Sequence, residues 1–91
     1  MKSIGYDDPY EEELYDFSTA LDELKKWLKV TRKGWYWKDM YLQLQRPDQF
    51  SKMTLPYIYM VIPQWENKID NLVPWIANQT DLLMEDWIIL I

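Results

Sequence analysis

The sequence predicts an α+β fold: a small antiparallel β-sheet crossed by one N-terminal amphipathic helix, with a short second helix near the C-terminus. Three observations carry that prediction. The apolar residues Phe17, Ala20, Leu21, Leu24, Trp27 and Leu28 recur at helical spacing. After them come segments rich in β-branched and aromatic residues, too short for helices and separated by Pro, Gly and Asp. The chain has 91 residues, enough for one domain, and a domain of that size buries only roughly 60 to 65% of its unfolded surface.

Taken in order, residues 1–15 form an acidic lead dotted with Tyr6, Tyr10 and Tyr15. Gly5, Pro9 and the run Glu11, Glu12, Glu13 argue against regular structure, and this part is expected to be mobile or to drape over a neighbour. Residues 16–91 are expected to form a single α+β domain. Its helix should start near 16–19 and end near 29, with Asp22 and Glu23 early and Lys25, Lys26 and Lys29 late, as the helix dipole prefers. Val30-Thr31-Arg32 reads as a short β-type segment, and Lys33-Gly34 as the turn after it. Gly34, one of two glycines, marks a backbone that needs positive φ or a close approach.

Residues 40–45 alternate, placing Met40, Leu42 and Leu44 on a core and Tyr41, Gln43 and Gln45 outward. Arg46-Pro47-Asp48 ends that strand, a loop runs to Thr54, and Pro56 opens a strand over 57–62. A turn over 63–67, a weaker strand over 68–73 and a last strand over 87–91 complete the sheet. Strands 57–62 and 87–91 are apolar on both faces, which one helix cannot cover, so a second subunit is expected on the sheet surface. Between the last two strands, Pro74 pre-sets a turn. Asn78 or Thr80 can then accept the backbone N–H that starts one or two helical turns over 81–85.

Composition narrows the function. Histidine and cysteine are both absent, which removes a Ser-His-Asp or Cys-His nucleophile, thiolate metal sites and a disulfide framework. A P-loop and a dinucleotide fingerprint lack their glycines. Asp81 and Glu85, an i,i+4 pair, could serve as acid and base but more commonly lie on one helix face as solvated charges. No enzyme activity and no cofactor are expected. No apolar run has the length of a membrane span, and Met1-Lys2 leads into acidic residues instead of a signal-peptide core, so a soluble intracellular protein is expected.

Six Trp and seven Tyr are more aromatic surface than a small core hides, which points to a ligand pocket, a subunit interface or both. The net charge of -5 is unevenly spread: Lys25, Lys26, Lys29, Arg32, Lys33 and Lys38 form a basic segment behind the acidic lead. An acidic whole with a basic middle is a poor general nucleic-acid binder, yet it allows a local anion site. Those lysines serve equally as a solvated helix end. Trp75 and Trp87 likewise bracket a core as readily as a pocket, and Gln79-Thr80-Asp81 can merely cap a helix. Indole faces, cations and short amides together suit a nucleotide-like ligand.

Phe17-Ser18-Thr19-Ala20-Leu21, Lys29-Val30-Thr31-Arg32-Lys33-Gly34-Trp35, Met40-Tyr41-Leu42, Leu55-Pro56-Tyr57-Ile58 and, above all, Trp75-Ile76-Ala77-Asn78-Gln79-Thr80-Asp81-Leu82-Leu83-Met84-Glu85-Asp86-Trp87 resemble the second type of Thoeris anti-defence protein. The resemblance implies a phage sponge acting in the cytoplasm of an infected bacterial host. Such a sponge is a homotetramer built from dimers that sequesters glycocyclic ADP-ribose, the signal of a TIR-domain defence enzyme, without cleaving it. Some relatives also hold cyclic dinucleotides.

Carried over residue by residue, the resemblance places the pocket at Trp35, Met40, Trp75, Asn78, Gln79, Thr80 and Asp81, shared across a subunit interface. Trp35 or Trp75 would stack on adenine, Arg32 and Lys38 would pair with the diphosphate, and Asn78, Thr80 and Asp81 would hold ribose hydroxyls. Arg32 reads equally as a surface strand cation, and Trp87 is assigned mainly to core. The chain departs from the family pattern at Tyr36-Trp37-Lys38-Asp39, where relatives are glycine-rich, at Asn78, where they carry serine, at Leu83 and Met84, where they carry small residues, and at Pro63-Gln64-Trp65-Glu66-Asn67, where they have a glycine-containing hairpin. The rival reading is an acidic protein-interaction inhibitor, a nucleic-acid mimic working through the lead; a third is a phage structural subunit.

Overall fold

The computed structural model describes residues 13–35, 39–64 and 69–90. The elements run α1 (Phe17–Lys25), β1 (Lys29–Arg32), β2 (Tyr41–Gln45), β3 (Tyr57–Ile62), β4 (Asn71–Pro74), α2 (Gln79–Leu83) and β5 (Trp87–Leu90). The five strands form one antiparallel sheet in the order β4-β3-β2-β1-β5. Consecutive strands β1 to β4 are neighbours, and the chain then passes through α2 to bring β5 against β1 at the opposite edge. The fold is therefore the predicted α+β sheet with a helix at each end of the chain. The mobile character expected of the lead falls largely on residues outside the described ones.

Helix α1 begins where its cap allows. Asp16 keeps an extended backbone and its carboxylate accepts the Thr19 N–H at 2.9 Å, satisfying one of the orphan donors of the first turn. Ala20 and Leu24 are fully buried against the sheet, where they meet Val30, Leu42 and Trp87 in the central core.

The helix does not run to residue 29 as the apolar stripe suggests. It stops at Lys25, and the chain turns back through a Schellman closure: the Leu28 N–H reaches the Glu23 carbonyl at 3.1 Å and the Trp27 N–H the Leu24 carbonyl at 2.9 Å. Trp27 therefore takes the left-handed position, φ 73°, that glycine usually holds. Its ring leaves the core stripe, is 43% exposed and lies 4.5 Å beneath the Arg46 guanidinium.

Strand β3 matches its expected bounds. Met40 and Leu42 are buried, and the Tyr59 hydroxyl donates to the Gln43 side chain at 3.0 Å across the β2–β3 pair. β4 is shifted from 68–73 to Asn71–Pro74 and all four of its residues are exposed. Pro74 fits there because β4 is an edge strand, so the missing N–H breaks no central ladder. The turn expected over 63–67 lies partly outside the described residues. Tyr15 is tied to the domain by two backbone bonds to Trp87, 2.9 and 3.0 Å long. No helix among the described residues is long and apolar enough to cross a membrane.

Candidate functional site

Trp87 opens β5 with no exposed surface, and three aromatic side chains gather round its indole. Phe17 lies 5.2 Å away between ring centres, Trp35 packs edge-on at 5.3 Å and Trp75 edge-on at 6.1 Å. These tilted and edge-to-face arrangements suit ring quadrupoles. The Trp87 indole N–H donates to the Asp81 carbonyl at 2.9 Å, which ties α2 onto the aromatic cluster. Trp35 and Trp75 are only half-buried, so each anchors on Trp87 while keeping part of its surface outside.

Helix α2 is set by a reciprocal capping box. The Asn78 side chain accepts the Asp81 N–H at 2.7 Å, and the Asp81 carboxylate accepts the Asn78 N–H at 3.1 Å. The helix starts two residues earlier than the expected 81–85, because Asn78, rather than Thr80, is the cap. Asp81 is not on an exposed helix side either. It is 5% exposed, and its carboxylate also accepts from Arg32 Nη1 at 2.9 Å and, more weakly, from the Trp35 indole N–H at 3.4 Å.

Arg32 itself is closed between two carboxylates. Its Nε donates to Asp86 at 2.8 Å and its Nη2 to the other Asp86 oxygen at 3.3 Å, completing a bidentate fork opposite the Asp81 contact. The antiparallel register makes this possible: Arg32 pairs with Trp87 across β1 and β5, which sets Asp86 beside Arg32 although they are 54 positions apart in sequence. The hydrogen bonds that Arg32 donates to Asp86 raise its guanidinium above the ordinary value, more than burial lowers it. Burial alone would raise the Asp86 carboxyl, but the Arg32 hydrogen bonds and the Gly34 N–H hold it below its ordinary value.

The predicted site residues thus fall into groups. Arg32, Trp35, Trp75, Asn78 and Asp81 converge on the Trp87 cluster. Gln79 and Thr80 are exposed on the first turn of α2. Met40 is buried, its carbonyl accepting from the Thr31 hydroxyl at 2.6 Å, so its side chain belongs to the core. Lys38 lies outside the described residues. The diphosphate role expected of Arg32 meets a physical obstacle, because a phosphate would have to displace a carboxylate from a guanidinium that is only 9% exposed. With one cation against two carboxylates, this corner favours a brace over an anion site.

A pocket of about 450 Å3 opens beside the cluster, walled by Trp75, Tyr57, Tyr59, Gln45 and Leu72 among others. Its size falls in the range of roughly 300 to 1,000 Å3 common for small-molecule sites, and its wall is mostly apolar with a few polar groups, as such sites are. Two other recesses, one beside α1 and β5 and one beside Trp27 and Tyr41, contain none of the predicted site residues. Asp86, Gln45, Tyr57 and Tyr59 were not foreseen in the sequence. Asp86 carried a signal in its position beside Trp87, since an acid flanking a buried strand needs a partner. The two tyrosines carried only their place on a strand apolar on both faces.

A family model described as Tad2-like, the Thoeris anti-defense 2-like domain, matches residues 15–90. The match starts at the residue whose backbone is bridged to Trp87. A relative named Thoeris anti-defense 2, from Bacillus phage SP01, is 37% identical over 82 residues, which cover 78% of this chain and 89% of the relative. With the match spanning both helices, all five strands and the whole Trp87 cluster, the chain belongs to the Thoeris anti-defense 2-like family of anti-defence proteins.

Proposed function

We propose that this protein is a phage-type sponge that binds a cyclised ADP-ribose, glycocyclic ADP-ribose, inside an infected bacterial host and holds it intact, so that the defence effector is never switched on. The observation that carries this reading is the placement of Trp75. Its ring is fixed against Phe17 and Trp87, and it also forms part of the wall of the 450 Å3 pocket with Tyr57 and Tyr59. A rigid, partly exposed indole beside two phenols is a surface on which a purine stacks, worth on the order of 1–3 kcal/mol per base.

Trp35 offers a second indole. Gln79 and Thr80 offer an amide and a hydroxyl to ribose, and Lys38 remains for the diphosphate. Arg32, Asp81 and Asn78 act as the frame that holds α2 and Trp35 in place. Binding without turnover agrees with a site whose carboxylates are engaged in a cap and a salt bridge instead of being poised over the pocket.

The pocket is open, and apolar residues of its wall are exposed: Leu72 is 63% exposed, Met53 58% and Val73 37%. Monomers rarely leave such a patch wet. A second copy seated there would close the pocket and supply the rest of its wall, in keeping with a homotetramer built from dimers.

Isothermal titration of the purified protein with glycocyclic ADP-ribose, followed by heating the complex and mass spectrometry of what is released, tests the reading. Tight binding with intact ligand recovered is the expected result. Absence of heat at micromolar concentrations would overturn the ligand assignment, and recovery of a cleaved product would overturn the sponge. Trp75→Ala, if folded, should weaken binding at least about fivefold.

A further inference from the structure

Asp86 holds the start of the β1–β2 connection at three points. Its backbone carbonyl accepts the Lys33 N–H at 2.9 Å, its carboxylate accepts the Gly34 N–H at 3.0 Å, and the same carboxylate forks onto Arg32. The fit is close enough that a Cβ on Gly34 would stand 2.8 Å from the Asp86 carboxylate oxygen. Gly34 keeps a φ outside the left-handed region, so proximity to this carboxylate, not backbone freedom, is what excludes a side chain there. The next residue is Trp35, whose N–H reaches the Arg32 carbonyl at 3.1 Å and whose indole rests on Trp87 and points its N–H at Asp81.

We propose that Asp86 is a positioning residue for Trp35: its carboxylate, gripping Gly34 and Arg32 together, fixes where the Trp35 indole stands for the ligand. The inference rests on the sponge reading for its ligand, but not for its geometry. Asp86 touches no ligand itself. It acts by leaving the loop one arrangement, because its two oxygens accept from both sides of the Arg32–Trp35 turn. Asparagine cannot replace it: it offers one oxygen where two are used, and turns an NH2 group toward a donor on the other side.

The test uses the full chain labelled with 5-fluorotryptophan. Six tryptophans give six fluorine resonances, with that of Trp35 assigned by its loss in Trp35→Phe. In Asp86→Asn, and independently in Gly34→Ala, where the added methyl displaces the carboxylate without removing it, the Trp35 resonance is expected to shift or broaden while that of Trp27, remote from the cluster, stays. An unmoved Trp35 resonance in folded Asp86→Asn overturns the proposal whether or not any ligand binds.

The second arm is a double-mutant cycle in affinity for glycocyclic ADP-ribose. Asp86→Asn and Trp35→Ala should each weaken binding at least about fivefold, and the double variant should be no weaker than Trp35→Ala alone. Losses that multiply overturn the proposal, since Asp86 would then act independently of Trp35. If the wild-type chain does not bind this ligand at all, the sponge reading fails by itself, and the fluorine spectra still decide the positioning role.

Discussion

The two ends of the sheet are finished to different degrees. At the β1–β5 end, Trp87 and Leu24 are sealed, Arg32 is closed by two carboxylates, and among the described residues no buried side-chain nitrogen or oxygen lacks a partner. At the β3–β4 end, all of β4 is exposed, and Met53, Leu72 and Val73 are exposed in the wall of an open pocket. The first end has what a core needs within one chain. The second leaves apolar surface exposed among the described residues, the kind of surface that a ligand or another copy buries. The difference teaches where to look for stability and where for function: changes at the closed end should act first on folding, and on binding only through the position of Trp35, whereas changes at the open end should act on binding and assembly.

The sharpest way to break this division is to remove Arg32. Arg32→Ala leaves Asp81 and Asp86 as partly buried carboxylates with no cation, and losing one partner of such a pair costs about 3–5 kcal/mol. Urea denaturation should show the midpoint falling with little change in slope. A loss under about 1 kcal/mol would mean that the brace is a solvated surface pair, and the closed end would not be closed.

Acid sharpens the same point. The Asp86 carboxyl lies below its ordinary value of 3.8 in the folded chain. It therefore contributes stability that is present above that unfolded value and is lost as pH falls through the lower folded one. Asp86→Asn should be less stable than wild type at neutral pH, and the gap should narrow below about pH 4 as the wild-type carboxylate takes up its proton. Thermal melts followed by circular dichroism across that window give the answer. A gap independent of pH would assign the effect of Asp86 to shape rather than charge.

Much of the closed end was hidden from sequence reading, for identifiable physical reasons. Strand β3 was legible because Pro56 and Pro63 frame an unbroken β-forming run, and the start of α1 because Asp16 is a short polar cap; for α2, Asn78 and Thr80 were equally good caps by sequence, and the expected start lies two residues late. The end of α1 was not: Trp27 and Leu28 continue the apolar period, and the usual stop signal, glycine, is replaced by a tryptophan forced into glycine's conformation. The Arg32 brace was illegible because its partners lie half a chain away and meet it only through the β1–β5 register. Of the candidate site, Trp35 and Trp75 could be named but Tyr57 and Tyr59 could not, and the division of labour between frame and pocket depends on which groups are already occupied.

Trp27 tests that account at smaller cost. Both Trp27→Gly and Trp27→Ala remove the ring stacked under Arg46, so that loss cancels between them. Only alanine must still adopt the left-handed backbone, which costs roughly 1–2 kcal/mol, partly offset by the greater freedom of glycine when unfolded. The glycine variant should therefore be the more stable of the two by about 1 kcal/mol. Equal stabilities would mean that the turn after α1 relaxes when the ring is gone.

The smallest expected effect on folding is at the open end, and it is the most informative about function. Leu72→Lys replaces an exposed apolar side chain on an edge strand with a charge, a change that natural edges use to prevent association. Compared at dilution where wild type is monomeric, the variant should unfold within about 0.5 kcal/mol of it, because no buried contact is lost. If, as proposed, wild type associates through this edge, sedimentation velocity at concentrations that assemble it should find the variant still at the monomer's rate, since a lysine seated in an apolar interface would have to shed its water without a partner. The variant should also lose affinity for glycocyclic ADP-ribose if the pocket is completed by a second copy. Full affinity in a monomeric variant would separate the two uses of this surface, leaving the pocket walled by Trp75, Tyr57 and Tyr59 to hold ligand within a single chain. A variant that assembles like wild type would move the interface away from β4, and the open end would then be a ligand surface alone.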